Sequence, residues 1–302
     1  MIPGSIKYDR QIHNRSLVVK ALLGKLTGWI PLMQPIKNDL VVVSYHGTQK
    51  RFLNNFAEQV KFFKDTYNII SPAQLSEFFE SRLESSSKPC LLFSFDDGLR
   101  SNLYAAEILY KFGIRAFFFV VPEFINCSKE KQAAFFLQNI SPMASSQNYT
   151  NEDAMALSWD ELKRLVAIGH EMGSHSASHV MRMSELDDDS RCHEIVYSRR
   201  MLADGLDLSP DKIRAFCGPV DSLQSVGRKE MALIKDNYKF FFSSFPGSNN
   251  KPKNPYFIKR VHIEDFWMLP AVKFALSNLE RLRWKYKINL FKDVCQIEKA
   301  CE

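Results

Sequence analysis

Two short stretches of this chain carry side chains able to do chemistry. One is Phe95-Asp96-Asp97-Gly98, directly after an apolar run; the other runs from Gly169 to His179 and contains His175 and His179. Adjacent carboxylates repel each other unless a cation or a proton intervenes. Adjacent residues on extended backbone point in opposite directions, so Asp96 and Asp97 need not share a task. One can bind a metal while the other faces a substrate. His175 and His179 are spaced so that one helical turn, or a tight loop, brings both imidazoles to one ion. One Asp with two His leaves coordination positions open for water and substrate, as a catalytic metal site requires. Either motif alone has a bland explanation. Asp-Asp-Gly after a strand is a common turn, and a His pair four apart can be a surface coincidence. Their joint occurrence at strand ends makes coincidence a poor account.

Those strands are visible as apolar runs. Leu40–Tyr45, Cys90–Phe95 and Ala116–Val121 read as buried strands, the last closed by Pro122. Helices are expected over Phe56–Lys64, Asn102–Phe112 with Gly113 as its stop, Asp189–Leu202 and Arg228–Asn237. Ser158 and Glu161 make a capping box for a helix ending near Ile168, before Gly169. Further strands are expected over His170–Ser174, Ile213–Cys217 and Phe240–Ser244, and the stretch Asn126–Asn151 reads as an irregular loop with a short helix. Repeated β-α units imply α/β architecture with a parallel sheet. About seven of them make closure into a barrel plausible, with functional residues at the C-terminal ends of the strands.

The ordered set Tyr45-His46, Phe93–Gly98, Ala116–Val120, Leu157-Ser158-Trp159-Asp160-Glu161-Leu162 and Gly169–His179 resembles a polysaccharide deacetylase of the NodB-homology family, over residues 40 to 265. The second cluster matches the family's His-Ser/Thr-x-x-His motif, and its combination with Asp-Asp-Gly is specific. The resemblance implies a distorted (β/α)7-type barrel of parallel strands. It also implies that Asp97, His175 and His179 bind a divalent metal, commonly zinc, and that Asp96 is the general base. Such a metal polarises the acyl carbonyl and lowers the pKa of bound water, and the free carboxylate takes the proton. The tetrahedral oxyanion then needs donors. The family's third motif is altered here to Phe216-Cys217-Gly218-Pro219-Val220-Asp221-Ser222. Gly218 replaces the usual aromatic residue, and Asp221 the usual glycine. A backbone N–H from Gly218 can still serve the oxyanion, because that role needs no side chain. The family often draws its general acid from a late Leu-x-His motif. The late histidine here is His262, within Lys259-Arg260-Val261-His262-Ile263, and it is assigned that role although the preceding residues do not match. Arg260 alternates with His262 on a strand and is placed to pair with Asp96, as the third-motif Arg does elsewhere in the family. His46 is expected near the site, His170 and His193 in structural or surface roles, and His13 outside the matched region.

The function these residues imply is hydrolytic removal of an N-acyl (acetyl) group from an amino sugar in a polysaccharide or glycan precursor. The alternatives are a catalytically impaired, saccharide-binding relative, or a deacylase of a lipid-linked sugar. The intact Asp96, Asp97, His175 and His179 favour an enzyme, because mere binding need not keep both a base and metal ligands.

The remaining composition narrows the setting. The chain has 302 residues, 45% apolar and 25% charged, which suits a globular protein with a substantial core. Its six cysteines are scattered with no CxxC pair, so neither a zinc ribbon nor a redox motif is expected, and they read as reduced thiols in a cytoplasmic protein. No signal peptide is evident, and Lys20 and Lys25 interrupt the apolar stretch from Leu17 to Met33. Three regions are expected: a basic amphipathic extension over 1–38, the catalytic domain over 39–265, and a basic helical extension over 266–302. The net charge of +6 is concentrated in the two ends. A nucleic-acid binder would more often carry a basic stripe across its core fold, so no nucleic-acid partner is expected. Leu22, Leu26, Trp29 and Met33 form one apolar stripe. Phe274, Leu276, Leu279, Leu282 and Trp284 lie among Arg281, Arg283, Lys285 and Lys287. Such ends suit either peripheral attachment to an anionic membrane surface at the cytoplasmic face, or helices packed on the barrel.

Overall fold

A computed structural model describes residues 39–277 except 85, 143–151, 220–224, 248 and 251–252, together with Leu22 and Asn289. Among the described residues, eight strands form one sheet: β1 (Leu40–Tyr45), β2 (Asn68–Ile69), β3 (Cys90–Phe95), β4 (Ala116–Val120), β5 (Glu171–Ser174), β6 (Ala215–Cys217), β7 (Phe240–Phe242) and β8 (Arg260–His262). Every pairing between them is parallel, in the order β7-β6-β5-β4-β3-β1-β8. β2 pairs with the start of β3, Asn68 opposite Cys90, below the point where β4 joins at Phe93. The edges meet: Phe242 bridges to Ile258 in parallel, Ile258 N–H donates to Phe241 O at 2.9 Å, and Ser243 N–H donates to Ile258 O at 2.8 Å. The result is a nearly closed barrel, as expected, with the two-residue β2 added beside the seven longer strands.

The strands are apolar on both faces because both faces are covered. Val41, Val43, Tyr45, Leu91, Phe93, Phe95, Ala116 and Phe118 pack outward with the helices. Leu40, Val42, Cys90, Leu92, Phe117, Phe119, Ala215, Cys217, Phe240, Phe242 and Ile258 pack with one another inside. This period-two alternation sets which side chains can reach the barrel mouth.

The covering helices include α1 (Leu53–Thr66), α2 (Asn102–Lys111), α3 (Trp159–Ala167), α4 (Ser198–Leu206), α5 (Arg228–Asn237) and α6 (Leu269–Ala275). α1 buries Phe56, Val60 and Phe63; α2 buries Ala105, Ala106 and Leu109. α3 starts with both bonds of the capping box, Glu161 N–H to Ser158 Oγ at 3.3 Å and Ser158 N–H to Glu161 Oε2 at 2.8 Å. Gly113 and Gly169 follow α2 and α3 at φ +72° and +95°, so each helix ends where only glycine turns freely.

Some boundaries differ from expectation. Helical residues run from Asp188 to Leu206 through a π turn at His193–Tyr197, past the expected end at Leu202. β6 and β7 are shorter than their apolar runs, because pairing rather than hydrophobicity ends a strand. Pro122 closes β4 and also opens a short helix, Pro122–Asn126, since its missing N–H costs nothing in a first turn. The residues expected as membrane anchors divide: Leu22 is 57% exposed, whereas two at the other end are buried. Phe274 and Leu276 are only 8% and 2% exposed, packed into the hydrophobic core with Ala271, Val272 and Ala275. They are therefore unavailable as membrane anchors. Leu26, Trp29, Met33, Leu279, Leu282 and Trp284 lie outside the described residues. No helix among the described residues is long and apolar enough to cross a membrane.

Candidate active site

The mouth of the barrel receives β3 through Asp96, whose N–H donates to Tyr45 O at 2.8 Å and so continues the β1–β3 ladder for one more residue. Asp97 and Gly98 then both take φ +71°, turning the chain sharply off the strand. That turn lets both carboxylates be buried, at 4% and 3% exposure, in different surroundings.

Asp97 meets the histidine loop. Its Oδ1 lies 3.5 Å from His175 Nε2 and 3.5 Å from His179 Nε2, and has no hydrogen-bond partner of its own. Each imidazole is fixed through its other nitrogen. His175 Nδ1 is 2.8 Å from Cys217 O, and His179 Nδ1 is 2.8 Å from Asn139 O. Donation to a carbonyl puts a proton on each Nδ1 and turns each Nε2 toward Asp97. The four-residue spacing closes as a tight loop rather than a helical turn. Ser176 and His179 adopt φ +62° and +63°, and His179 N–H donates to Ser176 Oγ at 3.0 Å. Glu194 anchors the loop by accepting from Ser178 N–H at 3.0 Å and Ser178 Oγ–H at 2.6 Å. Burial is the largest influence on His175 and pulls its pKa down to about 4, further than the Asp96 and Asp97 carboxylates raise it. The ring is therefore neutral near pH 7. A buried carboxylate oxygen without a donor, faced by the Nε2 atoms of two imidazoles, fits a divalent cation: three ligands of the right type converge within 4.8 Å.

Asp96 points elsewhere. Arg260 Nη1 donates to its Oδ1 at 2.6 Å. Burial pushes the Asp96 pKa up, but the Arg260 charge, His175 and the Arg260 hydrogen bond together bring it down to about 2. Arg260 itself is 1% exposed and satisfied on every side. It donates through Nε to Ser243 O at 3.0 Å, through Nη2 to Cys217 Sγ at 2.9 Å and Ser244 Oγ at 3.3 Å, and through Nη1 also to Ser94 Oγ at 3.3 Å. The expected pairing of Arg260 with Asp96 is what the fold contains, although Arg260 comes from β8 and not from the third motif.

His262 and His46 stand beside each other at the rim, ring centroids 4.7 Å apart. His262 Nε2 lies 2.8 Å from Glu264 Oε1. Gly218 directly follows Cys217, whose carbonyl holds His175. Two histidines among the described residues fall outside this arrangement. His170 is buried, accepts from Ala116 N–H through Nδ1 at 3.1 Å, and stacks edge-on with Phe118. His193 lies 2.8 Å from Glu123 Oε1 on the outside. Sequence reasoning missed the carbonyls of Asn139 and Cys217, which carry no side-chain signal, and also Glu194. It could have found Glu264, which repeats the alternation of Arg260 and His262.

The polysaccharide deacetylase family profile matches residues 84–229. No curated protein matches. Solved structures share the fold. A deacetylase of Streptococcus pyogenes in complex with acetate superposes with a TM-score of 0.59 at 16% identity, over 82% of this chain and 98% of that one. A polysaccharide deacetylase from Bacillus cereus superposes at 0.57 with 19% identity, over 80% of this chain and 69% of that one. IcaB from Ammonifex degensii gives 0.56 at 20% identity, over 80% and 98% of the two chains.

Proposed function

We propose, from the premise that residues 84–229 belong to the polysaccharide deacetylase family, that this chain hydrolyses an N-acetyl group from an amino sugar within a saccharide. It would do so with a divalent cation, zinc in the first instance, held by Asp97, His175 and His179. The observation that carries this reading is the buried, unpartnered Asp97 Oδ1 facing two Nε2 atoms at 3.5 Å each. A cation held there supplies a Lewis acid that polarises the acyl carbonyl and acidifies water, which a base as weak as Asp96 requires.

The protein's own groups divide the remaining work. Asp96, anionic at neutral pH, accepts the proton of the attacking water. Arg260 holds that carboxylate in place and offsets the cost of burying it. The Gly218 N–H is assigned to the oxyanion, where a backbone donor suffices. His262, oriented by Glu264, hands a proton to the departing amine. Arg260 supplies the partner for Asp96 that the altered third motif no longer provides.

Elemental analysis of wild type and His179→Ala, with acetate release measured on defined N-acetylated oligosaccharides, tests the reading. The wild type should hold a cation that His179→Ala loses, and should release acetate. Equal metal in both proteins, or no acetate from any substrate, overturns it.

A further inference from the structure

A second group of ligand-type side chains stands at the rim, apart from the Asp97 triad: His46, His262 and Glu264. Their candidate ligand atoms all lie within 4.8 Å of one another. We propose that they form a second binding site for a divalent transition-metal ion of the zinc or cobalt class. The proposed reaction uses His262 and Glu264 only to move a proton, so a metal here is an addition to it.

The backbone assembles this cluster. β1 and β8 pair with Ser44 opposite His262, and Ile263 N–H donates to Ser44 O at 2.9 Å. His46 is two residues beyond Ser44, and Glu264 two beyond His262. Period-two alternation therefore brings all three toward the mouth. The imidazole centroids are 4.7 Å apart, and Glu264 Oε1 is 2.8 Å from His262 Nε2. The ligands are thus gathered by strand register, so little ordering remains to be done on binding.

The donor set selects the ion. Two imidazoles and one carboxylate suit zinc, cobalt, nickel and iron, whereas calcium and magnesium prefer oxygen alone. The local field also favours a cation. Around His46, an exposed residue, desolvation disfavours positive charge, yet the Asp97, Glu264 and Asp96 carboxylates outweigh both that effect and the Arg260 charge. The site is more open than the first: the side chains of His262 and Glu264 are 34% and 26% exposed, against 4% for His175 and 7% for His179. An ion here exchanges more readily with solvent than one at Asp97. Filling the site occupies His262, so excess metal should inhibit turnover. That consequence rests on the proposed acid role of His262; the binding does not.

Titration of the full chain with Co²⁺, followed by visible absorption and elemental analysis, tests the site. Wild type should take two equivalents, and His46→Asn and Glu264→Gln one each, with circular dichroism unchanged. A wild type that takes a single equivalent and loses it in His179→Ala overturns the second site and leaves the first standing. Two equivalents in both His46→Asn and Glu264→Gln also overturn it. If Glu264→Gln takes one fewer than wild type while His179→Ala matches wild type, the second site holds and the proposed Asp97 site falls.

Discussion

Along β1 the residues on the inward-facing period run Leu40, Val42, Ser44 and then His46; along β3 they run Cys90, Leu92, Ser94 and then Asp96. Floor and mouth of the barrel are therefore successive layers of the same alternation, made of opposite materials. The floor is held by volume: Leu92, Phe117, Phe119, Phe242 and Ile258 fill it. The mouth is held by pairing. Arg260, one of the largest fully buried side chains, has its guanidinium 5.6 Å from the Phe119 ring and its nitrogens on Asp96, Cys217 and three serines. A lost methylene in the floor costs contacts in proportion to its size, whereas a lost partner in the mouth leaves a charge stranded.

Substitutions can break this contrast. The largest effect is expected for Asp96→Asn, which keeps the shape of the mouth and removes the proposed base. Acetate release should fall roughly 10²–10⁴-fold while metal content stays at the wild-type level. Retained turnover would place the base elsewhere. Arg260→Met comes next. It leaves the buried Asp96 carboxylate uncompensated and should lower unfolding stability by about 3–5 kcal/mol, read by denaturant titration. A loss below about 1 kcal/mol would show that pairing does not hold the mouth. Leu92→Ala, in the floor, should cost about 2–5 kcal/mol yet leave metal binding intact in the protein that remains folded. Loss of metal there would mean the two layers are not independent.

The smallest effect sharpens the comparison by using a histidine outside the mouth. Burial, with help from Arg115, pulls the pKa of His170 down to about 4 from an ordinary 6.5. The unfolded chain then binds its proton more readily than the folded one. Stability from this group is complete above pH 6.5 and is lost as pH falls toward 4. His170→Asn should flatten that part of the slope between urea titrations at pH 7 and pH 5. An unchanged slope would show that His170 does not control it.

Much of this was legible in local pattern. β1 and β3 begin and end where their apolar runs do, α3 starts at its capping box, and Gly113 and Gly169 stop the helices they follow, because strand periodicity, caps and left-handed glycines act over a few residues. The residue types of the Asp97 triad and the alternation of Arg260 with His262 are readable for the same reason. Tertiary structure decided the rest. The two-residue β2 has too few residues to show a period. The carbonyls of Asn139 and Cys217 orient imidazoles with atoms every residue possesses. Phe274 and Leu276 read equally well as membrane anchors or as core until the fold of α6 and its C-terminal end buried them. Which strand supplies the arginine for Asp96 depended on barrel closure: β8 reaches the mouth through its register with β1, and no local spacing encodes a pairing between segments so distant along the chain.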